Sequence, residues 1–382
     1  MTWVIAAHTY LIQHIFLVGN TYEFRYIPKQ FIFQIFMNST LAVESFIFYN
    51  GFVVSHILFK KYHEYKKLST LFFYYVNRVV RLAAMLSCVI ALCIIIPPFG
   101  YGPLWSEIVN VFSENCRKNW WKTLLFVSNF DKVTDICLPH SWFTSMETQL
   151  FVLAPVIPLI LLRKPKFGIF LLIVAIAGSV TFVGYQTITK NYPPVPIFQI
   201  KNAYYVEELQ KYIENVMLNP ITHLSPYCIA ILSAYIIFKS KFTNIPTWLL
   251  VIGWLISSSI KLTVLFTVYI WNSGRDPAFA FTVWYASMCR TFWTLTLAWD
   301  VFACINSKNG FVTKLLSWSF FIPLSRVTLA AYLLHPVLIA VFIGSLRIPY
   351  YFSHFLMVII GRHKSNKTEK QFQFFDSLKN II

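Results

Sequence analysis

Charge is scarce in this sequence. Only 12% of the 382 residues are Asp, Glu, Lys or Arg, against 57% hydrophobic, and this balance excludes an ordinary soluble domain. Other absences narrow the field. No stretch repeats at a fixed period, so solenoid and propeller arrays are excluded, and no soluble domain is expected at either end. The first apolar run has no basic segment before it and no small-residue cleavage site, so that run is expected to act as its own targeting signal.

What is present is a series of apolar runs. About 20 helical residues cross a hydrocarbon core of roughly 30 Å. Runs of that kind lie near 3–19, 40–59, 79–97, 142–162, 167–186, 222–238, 246–270, 281–305 and 326–347, with a weaker one at 349–360. They predict an all-α, polytopic membrane bundle of nine to ten transmembrane helices. One membrane domain is expected over 1–360, followed by a basic tail over 361–382 lying against anionic lipid.

The net charge of +17 raises a nucleic-acid partner, but the basic residues form no soluble face with aromatic platforms, so none is expected. They gather between spans instead. Lys60, Lys61, Lys66, Lys67, Arg78 and Arg81 fill one connection, and Arg163, Lys164 and Lys166 another. Lys239 with Lys241, and Lys308 with Lys314, fill two more. All four connections fall on one side if the spans alternate, and that side is cytosolic by the positive-inside rule. Cys116 and Cys137 bracket a polar loop on the opposite side, where a disulfide would persist; the alternative is two free thiols. Asn38-Ser39-Thr40 matches a glycosylation acceptor that abuts the second span. The segment 187–220 begins with Pro193, Pro194 and Pro196, which rule out a regular helix there, and continues into a short amphipathic helix over Tyr205 to Met217.

Ionisable side chains inside apolar runs are costly unless they face a polar interior. Five places need that explanation. His8 lies in the first run, with Gln13 and His14 beyond it. Glu44 lies in the second, where it either meets a polar partner or belongs to a packing seam with Ser45 and Gly51. Arg78 and Arg81, three residues apart, share a helix face at the cytosolic mouth of the third and suit bidentate phosphate binding, although positive-inside anchoring also accounts for them. In His140-Ser-Trp142-Phe-Thr-Ser-Met-Glu147-Thr-Gln149, ordinary helix capping accounts for His140 and Ser141 but not for Glu147 and Gln149. Finally, Arg326, Tyr332 and His335 lie in the last strong run, with His335 on the Tyr332 face.

A histidine able to act as general base, carboxylates able to orient it and arginines able to hold phosphates describe acyl transfer from acyl-coenzyme A to a hydroxyl. A proton-coupled transporter would also use intramembrane His and Glu, without specific need of the arginine pair. No bound cofactor and no metal are expected.

The order of these motifs resembles the acyltransferase 3 family, in its invertebrate branch of proteins like nose resistant to fluoxetine. The matching pieces are Trp3-Val-Ile-Ala-Ala-His8, Val43-Glu44-Ser-Phe-Ile-Phe-Tyr-Asn-Gly51, Arg78-Val-Val-Arg81, Cys116 to Trp121, Cys137 to Gln149, and Pro323-Leu-Ser325-Arg326 through Tyr332-Leu-Leu-His335-Pro336. The resemblance implies an integral-membrane O-acyltransferase with His8 as catalytic base, Glu44 and Glu147 as acidic members of the site, and Arg78 and Arg81 in donor binding. Trp142, Gln149, His223, Arg326, Tyr332 and His335 are the expected pocket. The implied partners are acyl-CoA as co-substrate, a lipid or small hydroxyl acceptor, and membrane lipid of the plasma membrane or endoplasmic reticulum. The competing expectation is a non-catalytic carrier of lipid or hydrophobic drug on the same scaffold. Glu44 stands where the branch usually has Asp, and His223 where it generally has Arg. The branch also carries a cysteine-rich external region upstream and a fuller final span, so a chain shortened at both ends is expected.

Overall fold

The computed structural model describes residues 1–11, 18–20, 22, 26–61, 68–153, 155–196, 204–240, 245–306 and 310–351. Gln13 and His14, most of the weak run at 349–360, and the basic tail therefore lie outside the described residues. The described fold is helical, with no strand beyond an isolated bridge between Val18 and Tyr350. The principal helices are α1 (Thr2–Leu11), α2 (Thr40–Lys60), α3 (Leu68–Ile95), α4 (Val111–Leu124), α5 (Trp142–Leu153) and α6 (Val156–Arg163). They continue with α7 (Pro165–Lys190), α8 (Tyr204–Tyr212), α9 (Leu224–Lys239), α10 (Thr247–Phe266), α11 (Phe279–Asn306) and α12 (Phe321–Ser345).

Seven helical segments among the described residues are long and apolar enough to cross a membrane, so the expected nine to ten is not reached. Two expected spans account for much of the difference. Only ten residues of the first are described as helix, and α11, though 28 residues long, is too polar to count among the seven, carrying both Arg290 and Asp300. The third span starts at Leu68 rather than near 79, which moves Arg78 from the helix mouth to ten residues inside, about 15 Å at 1.5 Å per residue.

Proline and a left-handed residue set several boundaries. Pro155 has no N–H to give, and it stands between α5 and α6. Pro165 opens α7, and Asn191, at φ 53°, closes it. The bundle packs in two apolar bodies. In the larger one α2 lies along α9, because a Cβ at Gly51 would come within 3.0 Å of the Tyr227 ring and 3.1 Å of Ala230, an approach that only glycine permits without adjustment. In the smaller one, Leu86 and Ile90 of α3, Cys116 of α4 and Leu333 and Val337 of α12 pack together.

The stretch Phe126–Ser141 joins the two bodies without regular α-helix, and Ser128, Asn129, Ile136, Cys137, Leu138, His140 and Ser141 are buried in it. Irregular backbone at such depth requires internal hydrogen bonds. Ser128 bonds to Ser145 at 2.8 Å, while Cys116 and Cys137 form the expected disulfide. Asn38 is also buried, its amide donating to the carbonyl of Val264 at 3.1 Å, so it is occupied in packing and unavailable as a glycan acceptor. The amphipathic helix expected before residue 218 is present as α8 and a wider turn over Ile213–Met217.

Candidate functional site

Helix α5 carries the site because its side chains leave in two directions. Successive residues turn by about 100°, so Phe143 and Glu147 share one stripe while Trp142 and Gln149 share another. Phe143 meets the Tyr332 ring at 5.7 Å and Glu147 pairs with Arg78. On the second stripe Trp142 lies 6.2 Å from the His223 ring, and Gln149 donates to the Phe126 carbonyl at 2.8 Å and to Asn129 Oδ1 at 2.7 Å. Gln149 thus fastens the irregular stretch to α5.

The first polar cluster is made of histidines. His8 Nδ1 lies 2.7 Å from His335 Nε2, with the two rings nearly parallel at 11°. His335 Nδ1 lies 3.0 Å from the Ala331 carbonyl. His140 completes the cluster, its ring 6.0 Å from that of His335 and its Nε2 3.1 Å from the Leu333 carbonyl. Tyr332 donates its hydroxyl proton to the carbonyl of His140. Among the described residues, nothing occupies His8 Nε2, and the buried His140 Nδ1 has no hydrogen-bond partner. No group of three or more His, Cys, Asp or Glu among the described residues is arranged to hold a metal ion.

The second cluster is the ion pair between Arg78 of α3 and Glu147 of α5. The Arg78 guanidinium also lies over the Phe151 ring, 4.3 Å from its centre, and Tyr75 stacks on the same ring at 5.5 Å. Pairing and cation–π contact together make a charge tolerable this far inside a helix.

The third cluster surrounds Glu44. Its carboxylate is 3.0 Å from His223 Nδ1 and 3.0 Å from Arg290 Nε, and all three residues are buried. His223 Nε2 faces the Met217 carbonyl at 2.8 Å. Tyr212, in the segment preceding α9, interacts with the Arg290 guanidinium, and its own burial pushes the phenol up to about 12, so the hydroxyl remains a donor near neutral pH.

The expected residues are therefore divided. His8, His335 and Tyr332 meet in the first cluster, Arg78 and Glu147 in the second, and Glu44 and His223 in the third, with Trp142 against His223. Arg81 and Arg326 are exposed on their helices and join none of them. Helix capping does not account for His140, whose ring joins the first cluster, and Arg290 is a member of the third cluster that the local motifs do not single out. The signal for Arg290 was present, since a lone arginine in the run 281–305 needs a partner as much as Glu44 does. A second such pair, Lys261 with Asp300, links α10 to α11 and was likewise unread.

Seven membrane-length apolar helical segments among the described residues, with buried, paired polar clusters between them, define a multi-pass membrane protein with an internal polar site. The chain belongs to the acyltransferase 3 family: residues 1–361 match its acyltransferase domain. It is 28% identical to nose resistant to fluoxetine protein 6 of Caenorhabditis elegans over 94% of this chain and 46% of that protein. It is 22% identical to regulator of hypoxia-inducible factor 1 of the same organism over 55% of this chain and 42% of that protein. The chain thus spans about half the length of the curated relatives it matches. No solved structure matches it. Family membership supports a membrane function of the acyltransferase type.

Proposed function

We propose that this chain is an integral-membrane O-acyltransferase that moves an acyl group from acyl-CoA to a hydroxyl of a lipid or small-molecule acceptor, with His8 as general base. The observation that carries the reading is the His8 ring: Nδ1 is held 2.7 Å from His335 while Nε2 is left without a partner among the described residues. A base needs one nitrogen oriented and the other open.

In the proposed reaction His8 Nε2 takes the proton of the acceptor hydroxyl as that oxygen attacks the thioester carbonyl. The tetrahedral intermediate then expels the coenzyme A thiolate as the C–S bond breaks. The proton on His8 passes to that thiolate, leaving an ester, free coenzyme A and neutral His8. Arg78 serves the donor phosphates, and Glu147 holds its guanidinium in place between encounters. Arg81, one turn further along α3, adds positive charge on the surface the donor approaches. Tyr332 and Trp142 line the walls of the site, and Glu44 acts by holding α2, α9 and α11 together around it.

The test is product analysis on the purified chain in lipid nanodiscs with acyl-labelled acyl-CoA. Free coenzyme A released in step with label appearing as an ester is the expected result. A second reading draws on the relative named for resistance to fluoxetine: carriage of a hydrophobic ligand without chemistry. Ligand flux into proteoliposomes with no ester formed would establish that reading instead.

A further inference from the structure

We infer that His335 decides which nitrogen of His8 is the basic one, making it a positioning residue for the base. The inference rests on the proposed role of His8 and specifies how that role is set.

The anchors are backbone carbonyls in the turn of α12 around Tyr332. The carbonyls of this turn are where the histidines attach. His335 Nδ1 is 3.0 Å from the Ala331 carbonyl. His140 Nε2 takes the Leu333 carbonyl at 3.1 Å.

A carbonyl oxygen only accepts, so the His335 nitrogen facing Ala331 carries the proton. In the neutral ring the proton on Nδ1 leaves Nε2 with a lone pair. That lone pair faces His8 Nδ1 at 2.7 Å, a distance that requires one proton between the two nitrogens. The proton therefore belongs to His8 Nδ1, and His8 Nε2 is the imine nitrogen. The reverse assignment would set the His335 Nδ1 lone pair against a carbonyl oxygen. A doubly protonated His335 would place a charge in a cluster that has no carboxylate hydrogen-bonded to it among the described residues, at a large desolvation cost. The chain carbonyl, His335, His8 thus does for His8 what an orienting carboxylate does elsewhere: it fixes tautomer and ring plane together.

The experiment is nitrogen NMR on the full chain in lipid nanodiscs with ¹⁵N-labelled histidine. There are nine histidines, and the His8 pair is identified by its loss in His8→Gln. The expected result is a protonated Nδ1 and an imine-type Nε2 on His8, passing to a tautomer mixture in His335→Leu. An imine-type Nδ1, or two protonated nitrogens, in the wild-type protein would overturn the inference. Turnover should fall about 100-fold in His335→Leu and recover in part in His335→Gln, whose amide oxygen can accept from His8 Nδ1; an unrecovered Gln variant with native His8 tautomer would count against it. The NMR result needs no activity. If the tautomer is as inferred but His8→Ala still transfers acyl groups, the enzymatic reading alone fails.

Discussion

His8 and His223 sit in the same bundle, and both are held by hydrogen bonds, yet their bonding is opposite in character. His223 has both nitrogens occupied, by the Glu44 carboxylate and the Met217 carbonyl, and Arg290 completes the charge balance around the acid. His8 has one nitrogen bound to His335 and the other open among the described residues. A histidine with both nitrogens bonded inside the bundle offers neither to a substrate. The comparison separates a residue that holds helices together from one equipped to react, although both appear in sequence as costly polar groups in apolar runs.

Stability should break the symmetry most strongly. His223→Ala strips a buried carboxylate and a buried carbonyl of their partner, which typically costs about 3–5 kcal/mol, and it should lower the melting temperature sharply in detergent. His8→Ala should leave melting within about 1 kcal/mol of the parent, because it removes one hydrogen bond of ordinary strength. Equal losses in the two variants would erase the distinction.

Next in size is the disulfide that supports the irregular stretch leading to His140. Cys116 and Cys137 are 21 residues apart, and opening a loop of that size should cost about 3 kcal/mol. Thermal unfolding of Cys116→Ser in detergent measures it. The loss should be of global stability, since Cys116 and Cys137 both belong to the smaller apolar body.

The arginines sharpen the comparison further. Arg78 is paired inside the bundle while Arg81 is exposed. Arg78→Ala should raise the KM for acyl-CoA about tenfold, the loss expected for one charge-assisted contact of roughly 1.4 kcal/mol. Arg81→Ala should change it about twofold or less, as exposed charges generally do. Initial rates at varied donor concentration distinguish these outcomes. The smallest expected effect is on glycosylation: Asn38→Gln should leave electrophoretic mobility unchanged, because the Asn38 amide is buried against Val264 and Tyr285.

Much of the helical layout was legible in the sequence because it follows from uninterrupted apolar length. The span boundaries around Arg78 and the polarity of α11 were not, and the reason is pairing. An arginine in a hydrocarbon segment reads as the end of that segment until its counter-charge is known, and Glu147 lies 69 residues away. The same holds for Arg290, which meets Glu44 across 246 residues, and for His8, which meets His335 across 327. The residues of the site could be nominated one at a time from the cost of burying them. Their division into three clusters depends on contacts that only the fold brings about. His140 shows the limit of nomination by local motif, since a turn at a helix start explained it too easily.

The most direct test of the account is turnover by His8→Gln beside His223→Gln, each as the full chain in lipid nanodiscs, with coenzyme A release and ester formation followed together. The account predicts that the His8 variant folds and transfers no acyl group, while any His223 variant that remains folded still transfers. A folded His8→Gln protein that forms ester at the parent rate would contradict it.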